Sequence, residues 1–184
     1  MPEAIATRIP PPRASGLGWR TLDPQSCWSL RVELAAAAGP MATAGLPLAL
    51  AACRAATRGE WAALWLGPDE QLLVGMNSSH AQFEPRLAGA LAGIAHALVD
   101  VSHRQAAIEI AGPDATRLLA LGCPLDLHLS QAPVGLCTRT VFAKAEVVLW
   151  RQEADRFQLQ AWRSFLPYVT GLLALGSQEL APQA

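Results

Sequence analysis

Three short stretches of this sequence hold residue types that carry out chemistry in other proteins. In Asp100-Val101-Ser102-His103-Arg104 an acid, a hydroxyl, an imidazole and a guanidinium stand almost side by side, the ingredients of acid–base or nucleophilic catalysis. Gly122-Cys123-Pro124-Leu125-Asp126-Leu127-His128 puts Cys123, Asp126 and His128 in one loop, the minimum set for an activated thiol. Gly67-Pro68-Asp69-Glu70 offers two adjacent carboxylates. Each has a plainer explanation. Polar residues belong in turns, neighbouring strand residues point to opposite faces, and catalytic sets converge from separate segments. The sequence therefore assigns no catalytic, cofactor-binding or metal-binding residue. It has no phosphate-cradling glycine loop, and His80, His96, His103 and His128 are scattered. Cys27, Cys53, Cys123 and Cys137 form no C-x-x-C pair, which leaves free, buried thiols in a reducing compartment as the expectation. Trp61, Trp65, Trp150 and Trp162 are candidates for a platform under a flat ligand such as a pterin or flavin, or for core and interface positions.

The elements that would position these groups follow from periodicity. Residues 1–26 are rich in Pro and Gly and read as an extended arm whose Trp19 docks either on the chain's own body or on another chain. Residues 27–176 read as a single α+β domain, with room for two small lobes, and 177–184 as a tail. Cys27–Leu34 alternates like a half-buried strand, with Trp28, Leu30, Val32 and Leu34 on one face. The Ala-rich stretch after it reads as short helical turns broken at Gly39-Pro40. Trp61–Leu66 and Gln71–Val74 flank a Pro-Asp turn and predict a hairpin. Leu87, Leu91, Ile94 and Leu98 predict one helix over 82–98. Val99–Ser102 and Ala106–Ala111 predict a second hairpin. Gly112-Pro113-Asp114 opens a helix with Leu118, Leu119 and Leu121 inward, ended by Gly122. Strands are expected over 136–143, 146–151 and 156–161. A last helix from Arg163 carries the stripe Phe165, Leu166, Val169, Leu172 and Leu173 and closes at Gly176. Interleaved hairpins and helices predict an α+β fold with antiparallel or mixed sheets and packed helices.

Composition narrows the function classes. The 184 residues carry a formal net charge of -1, with 52 % apolar and 16 % charged types, where about a quarter charged is usual. That balance excludes a disordered chain and a binder of nucleic acid through its phosphates. Leu34–Cys53 is uncharged, yet Gly39-Pro40, Gly45 and Pro47 interrupt it, so no membrane span is expected, and Glu3, Arg8 and Pro10-Pro11-Pro12 break any apolar stretch of a secretory signal, so the chain reads as cytoplasmic.

Six segments, taken in order, carry a resemblance. Ala63-Leu64-Trp65-Leu66-Gly67-Pro68-Asp69-Glu70-Gln71-Leu72-Leu73, Val99-Asp100-Val101-Ser102-His103-Arg104, Ile108-Glu109-Ile110-Ala111-Gly112-Pro113-Asp114-Ala115, Gly122-Cys123-Pro124-Leu125-Asp126-Leu127, Arg139-Thr140-Val141-Phe142-Ala143-Lys144-Ala145 and Arg163-Ser164-Phe165 resemble the sarcosine oxidase gamma subunit family. The resemblance spans about 60–170. It implies a fold similar to the folate-binding domain of the aminomethyltransferases. It also implies a non-catalytic, accessory role beside alpha, beta and delta subunits. The complex it points to oxidises sarcosine to glycine, forms hydrogen peroxide and passes a one-carbon unit to tetrahydrofolate. FAD, FMN, NAD and zinc are then expected in the partner subunits and none in this chain. A stand-alone folate-binding, aminomethyltransferase-like protein is the alternative. Gln71 stands where the family often has tryptophan, which puts a stacking role there in question and leaves the hairpin intact. Low charge also suits a chain whose surface a partner covers.

Overall fold

A computed structural model of the chain describes residues 17–75 and 80–180. The Pro10-Pro11-Pro12 part of the arm and the end of the tail lie outside the described residues. The elements are β1 (Gly18–Thr21), β2 (Ser26–Val32), α1 (Leu34–Thr43), β3 (Ala55–Arg58), β4 (Trp61–Trp65), β5 (Glu70–Gly75), α2 (His80–Ala90), β6 (His96–Asp100) and β7 (Gln105–Ala111). Then come α3 (Ala115–Ala120), β8 (Cys137–Phe142), β9 (Ala145–Glu153), β10 (Arg156–Trp162), a 3-10 turn (Arg163–Phe165) and α4 (Leu166–Glu179). Two five-stranded sheets form, in the orders β3-β4-β5-β2-β6 and β1-β7-β10-β9-β8. Their strand pairings are antiparallel throughout, so the fold is α+β with antiparallel sheets.

Strand alternation sorts the side chains into layers. Trp28, Leu30 and Val32 of β2 face α1 and α2, where they meet Ala37, Met41, Phe83 and Leu87. Cys27, Ala62, Leu64, Leu72 and Val74 face the other way, against Cys137, Val148 and Trp150 of the second sheet. The far face of that sheet sends Ile108, Ile110, Leu149 and Leu159 into α3 and α4, onto Leu118, Leu119, Val169 and Leu173. The order is helices, sheet, sheet, helices. β4 and β5 are covered on both sides, which is why they read as continuous apolar runs.

Several expectations are corrected. The helix expected over 82–98 ends at Ala90, and Gly93 turns the chain at φ +77°. Residues 96–100 instead pair with β2, from Trp28↔Asp100 to Val32↔His96, because the open edge of β2 offers them a backbone ladder. The expected hairpin of 99–102 with 106–111 does not form, since β6 and β7 belong to different sheets. Helix α1 runs through Gly39-Pro40. Pro40 strips a hydrogen bond from the carbonyl of Ala36, which lies on the exposed side of the helix, while Ala37 and Met41 anchor the buried side. Leu34 starts α1 instead of extending the strand. Leu121 and Phe165 are exposed instead of inward.

Two glycines act by closeness. Gly176 does not end α4, which continues to Glu179. A Cβ there would stand 2.6 Å from Leu121 Cδ1 and 2.8 Å from Leu118 Cδ1, so Gly176 is where α4 touches α3. A Cβ on Gly122 would stand 2.9 Å from two ring carbons of Phe142 and 3.1 Å from the backbone nitrogen of Ala143. That N–H donates to the Gly122 carbonyl at 2.7 Å, so neither side can yield. Gly122→Ala is expected to cost about 1–3 kcal/mol by overpacking, read as a lower urea midpoint with an unchanged slope. An unshifted midpoint would refute the steric argument.

The described part of the arm settles on the chain's own body. β1 pairs with β7 from Gly18↔Ala111 to Thr21↔Ile108. Trp19 packs on the core under α4, and its Nε1 donates to Ser177 Oγ at 3.1 Å. Regular structure thus begins inside the 1–26 segment, and α4 reaches into the 177–184 segment.

Candidate functional site

At one end of the seam between the sheets the apolar contacts give way to a polar cleft of about 270 Å³. Its walls include Arg31, Glu70, Arg139, Glu146, Arg104, Gln105, Gln160 and Trp162. Glu70 accepts from Arg31 Nη2 and from Arg139 Nη2, each at 2.8 Å. Arg31 shares its sheet and Arg139 belongs to the other, so one carboxylate clips the two sheets together. Asp69 takes a second nitrogen of Arg31 at 3.3 Å, and Glu146 lies 3.9 Å from Arg139 Nε. The paired residues are partly exposed, which limits each pair to about 1 kcal/mol or less. The turn that presents Glu70 is closed by Gly67 N–H donating to the Glu70 carbonyl at 3.0 Å, with Pro68 exposed at its tip.

The Asp100–Arg104 stretch is the crossover from β6 to β7. Asp100 Oδ1 accepts from Ser102 N at 2.8 Å and from Ser102 Oγ at 2.5 Å. Ser102 Oγ in turn accepts from Cys27 N at 2.9 Å, and Val101 N donates to the Cys27 carbonyl at 2.8 Å. The acid and the hydroxyl therefore staple backbone. His103 is exposed. Arg104 goes to the cleft, where its guanidinium carbon lies 5.4 Å from the Trp162 ring centroid, a cation–π contact. Arg163 N–H donates to the Arg104 carbonyl at 2.8 Å, and Arg163 is itself exposed.

The Cys123 loop is likewise structural. Asp126 accepts from His128 N at 2.8 Å, and His128 Nδ1 lies 2.8 Å from Ser130 Oγ. Cys123 is buried behind α3, and Pro124 is exposed. Gly112 adopts φ +115° and donates to the Asp155 carbonyl at 2.9 Å, with exposed Pro113 after it. Lys144 is exposed in the β8–β9 turn. The tryptophans form no common platform. Trp61 stacks on Phe83 under the helices, while Trp150 lies in the seam between the sheets. Trp65 N–H donates to Cys137 Sγ at 3.1 Å, and Trp162 is exposed at the cleft.

Sequence reasoning missed the buried polar residues. Arg151, 3 % exposed, donates from Nη1 to the carbonyls of Leu127 at 3.0 Å and Ala132 at 2.5 Å, and from Nε and Nη2 to that of Ala154. Burial lowers its pKa from the ordinary value. Gln152, Gln158, Gln25 and Gln160 link through Gln152 Nε2 to Gln158 Oε1 at 3.0 Å, with Gln158 Nε2 and Gln160 Nε2 both donating to Gln25 Oε1. Their signal was the period-two placement of Gln158 and Gln160 between Phe157, Leu159 and Ala161, which sets a polar face opposite an apolar one.

The four cysteines are free thiols. Burial pushes Cys27 and Cys137 up to about 12. In the unfolded chain such thiols ionise near 9, so above that pH the unfolded state binds fewer protons and stability falls from about pH 9 towards 12. Urea midpoints at pH 7, 9 and 10.5 are expected to hold between the first two and drop at the third; a midpoint rising with pH would contradict it. Among the described residues no group of three or more His, Cys, Asp or Glu stands close enough to hold a metal ion. No helix among them is long and apolar enough to cross a membrane.

The family model described as "Sarcosine oxidase, gamma subunit family" matches residues 31–179. The chain belongs to this family. The sarcosine oxidase gamma subunit of Corynebacterium sp. (strain P-1) is 30 % identical over 139 residues, which is 76 % of this chain and 67 % of that one. That of Arthrobacter sp. is 37 % identical over 118 residues, 64 % of this chain and 55 % of the relative. The chain thus spans about 55–67 % of the length of these gamma subunits. Among solved structures, a chain of the heterotetrameric sarcosine oxidase from Corynebacterium sp. U-96, in complex with pyrrole 2-carboxylate, superposes with TM-score 0.82 at 27 % identity, covering 94 % of this chain and 90 % of that one. The glycine cleavage system aminomethyltransferase T from Bartonella henselae superposes at 0.63 and 13 % identity over 86 % of this chain and 45 % of that one, which shows a shared fold. In this gamma-family chain, Glu70, Arg104 and Arg139 come from three separate motif segments and meet at the cleft.

Proposed function

We propose that this chain is the gamma subunit of a heterotetrameric sarcosine oxidase, an accessory chain beside alpha, beta and delta subunits in the cytoplasm. The observation that carries the reading is the superposition on a chain of the heterotetrameric enzyme over nearly the whole length. On this reading the complex demethylates sarcosine oxidatively to glycine, with hydrogen peroxide and 5,10-methylenetetrahydrofolate as further products. FAD, FMN, NAD and zinc reside in the partner subunits. The chemistry of the described residues agrees with a supporting role: Asp100, Ser102, Asp126 and Arg151 are engaged in holding backbone. Co-expression of a tagged chain with the other three subunits tests it. The tagged chain should retain all three and the pool should consume oxygen with sarcosine. Omitting it should lower the recovered complex, and the isolated chain should carry no flavin absorbance. Failure of the wild-type chain to retain the others, or flavin bound to it alone, would overturn the assignment.

A further inference from the structure

The cleft described above is unfinished in a way that specifies what completes it. Gln160 is 2 % exposed, and among the described residues its Oε1 and that of Gln105 meet no hydrogen-bond donor. The orientation of Gln160 is held from the other side by its Nε2 bond to Gln25 at 2.8 Å. A buried carbonyl without a donor costs about 1–3 kcal/mol, so an occupant that brings N–H groups gains by entering. The cations divide in the same sense. Arg31 and Arg139 are paired with Glu70, which they share, and with Asp69 and Glu146. Among the described residues neither Arg104 nor Arg163 has a carboxylate within ion-pair distance. The Arg104 guanidinium carbon lies over the Trp162 ring at 5.4 Å, and a guanidinium so placed pairs well with a carboxylate in bidentate fashion.

Three exposed aromatic side chains follow one another along the chain from the Trp162 wall of the cleft. Trp162, Phe165 and Tyr168 are 44 %, 39 % and 38 % exposed, where the chain leaves β10 through the 3-10 turn into α4. Aromatic residues and arginine are the side chains that dominate the centres of protein interfaces.

We propose that this cleft and its aromatic rim receive an extended acidic segment of a partner subunit. Its backbone N–H groups complete Gln105 and Gln160, and its carboxylates pair with Arg104 and Arg163. The proposal rests on the gamma-subunit reading and names the surface by which that subunit docks. Co-expression of the full-length tagged chain with the other three subunits tests it through the partner retained per tagged chain. Arg104→Glu and Trp162→Ala, both at exposed positions, should retain less partner by about tenfold or more, while Lys144→Glu in the β8–β9 turn retains the wild-type amount. Gln105→Met gives a readout that a structural role would not: the unfolding midpoint of the free chain holds or rises, yet partner is lost. If wild type and all these variants retain equal partner, the docking surface is wrong and the subunit assignment stands. If wild type retains none, the assignment itself fails. Self-association of the isolated chain that Trp162→Ala abolishes would give the cleft to a second copy and overturn the proposal.

Discussion

Arg151→Met is expected to destabilise the chain by about 2–5 kcal/mol, from the penalty for buried carbonyls that lose their donor. The carbonyls of Leu127 and Ala132 face into the protein and take both of their described side-chain bonds from one guanidinium nitrogen. Ala154 takes the opposite edge. Methionine fills the space and packs on Phe157, whose ring lies 4.8 Å from the guanidinium carbon, but donates nothing. Removing a desolvated cation returns part of the loss, which keeps the figure below the sum of the lost bonds. Lysine cannot reach both edges, because one ammonium is a point where the guanidinium is a fork. Arg151→Lys should therefore fall near Arg151→Met in a urea titration. A lysine variant as stable as wild type would show that the charge matters and the geometry does not. The 123–135 loop should lose protection from proteolysis in both variants.

Gln71→Leu is expected to cost about 2–4 kcal/mol, because it orphans two buried backbone groups at once. Gln71 is fully buried in β5. Its Oε1 accepts from Ala49 N at 2.9 Å and its Nε2 donates to the Ala49 carbonyl at 2.6 Å. The side-chain amide thus substitutes for a neighbouring strand and fastens the connection between α1 and β3 to the sheet. Glutamate would accept from the one group and repel the other, so Gln71→Glu should lose stability as well. An unfolding midpoint unchanged in Gln71→Leu would show that the connection finds other partners. Gln71 therefore acts as a clamp rather than as part of a stacking site.

Much of the fold was legible in the residues. β2, the β4–β5 turn, β8 to β10 and the α4 stripe announce themselves because each must present an apolar face at a fixed period. The misreadings share one cause. In 94–98 a helical stripe and a strand are both compatible with Ile94 and Leu98, and β6 is so exposed that alternation leaves no mark. What decides it is the open edge of β2, far away in sequence. The same holds for the crossover at 100–104: nothing local says that β6 and β7 join different sheets. At the cleft, Glu70, Arg104 and Arg139 were singled out, but their meeting needed the two sheets to be stacked. Arg151 and the glutamines were passed over because polarity within a strand ordinarily signals solvent.

The bond from Trp19 to Ser177 spans 158 residues, and this has a consequence for the order of events during synthesis. The sheet of β2 to β6 uses residues 26–100 alone and can close as soon as they emerge. β1 emerges before all of it, yet waits for β7, and Trp19 waits longer still for α4. At ordinary translation rates that delay is roughly 8–30 s, during which the tryptophan has no seat. The first described strand is thus among the last pieces set in place, and completing α4 is what latches the finished body.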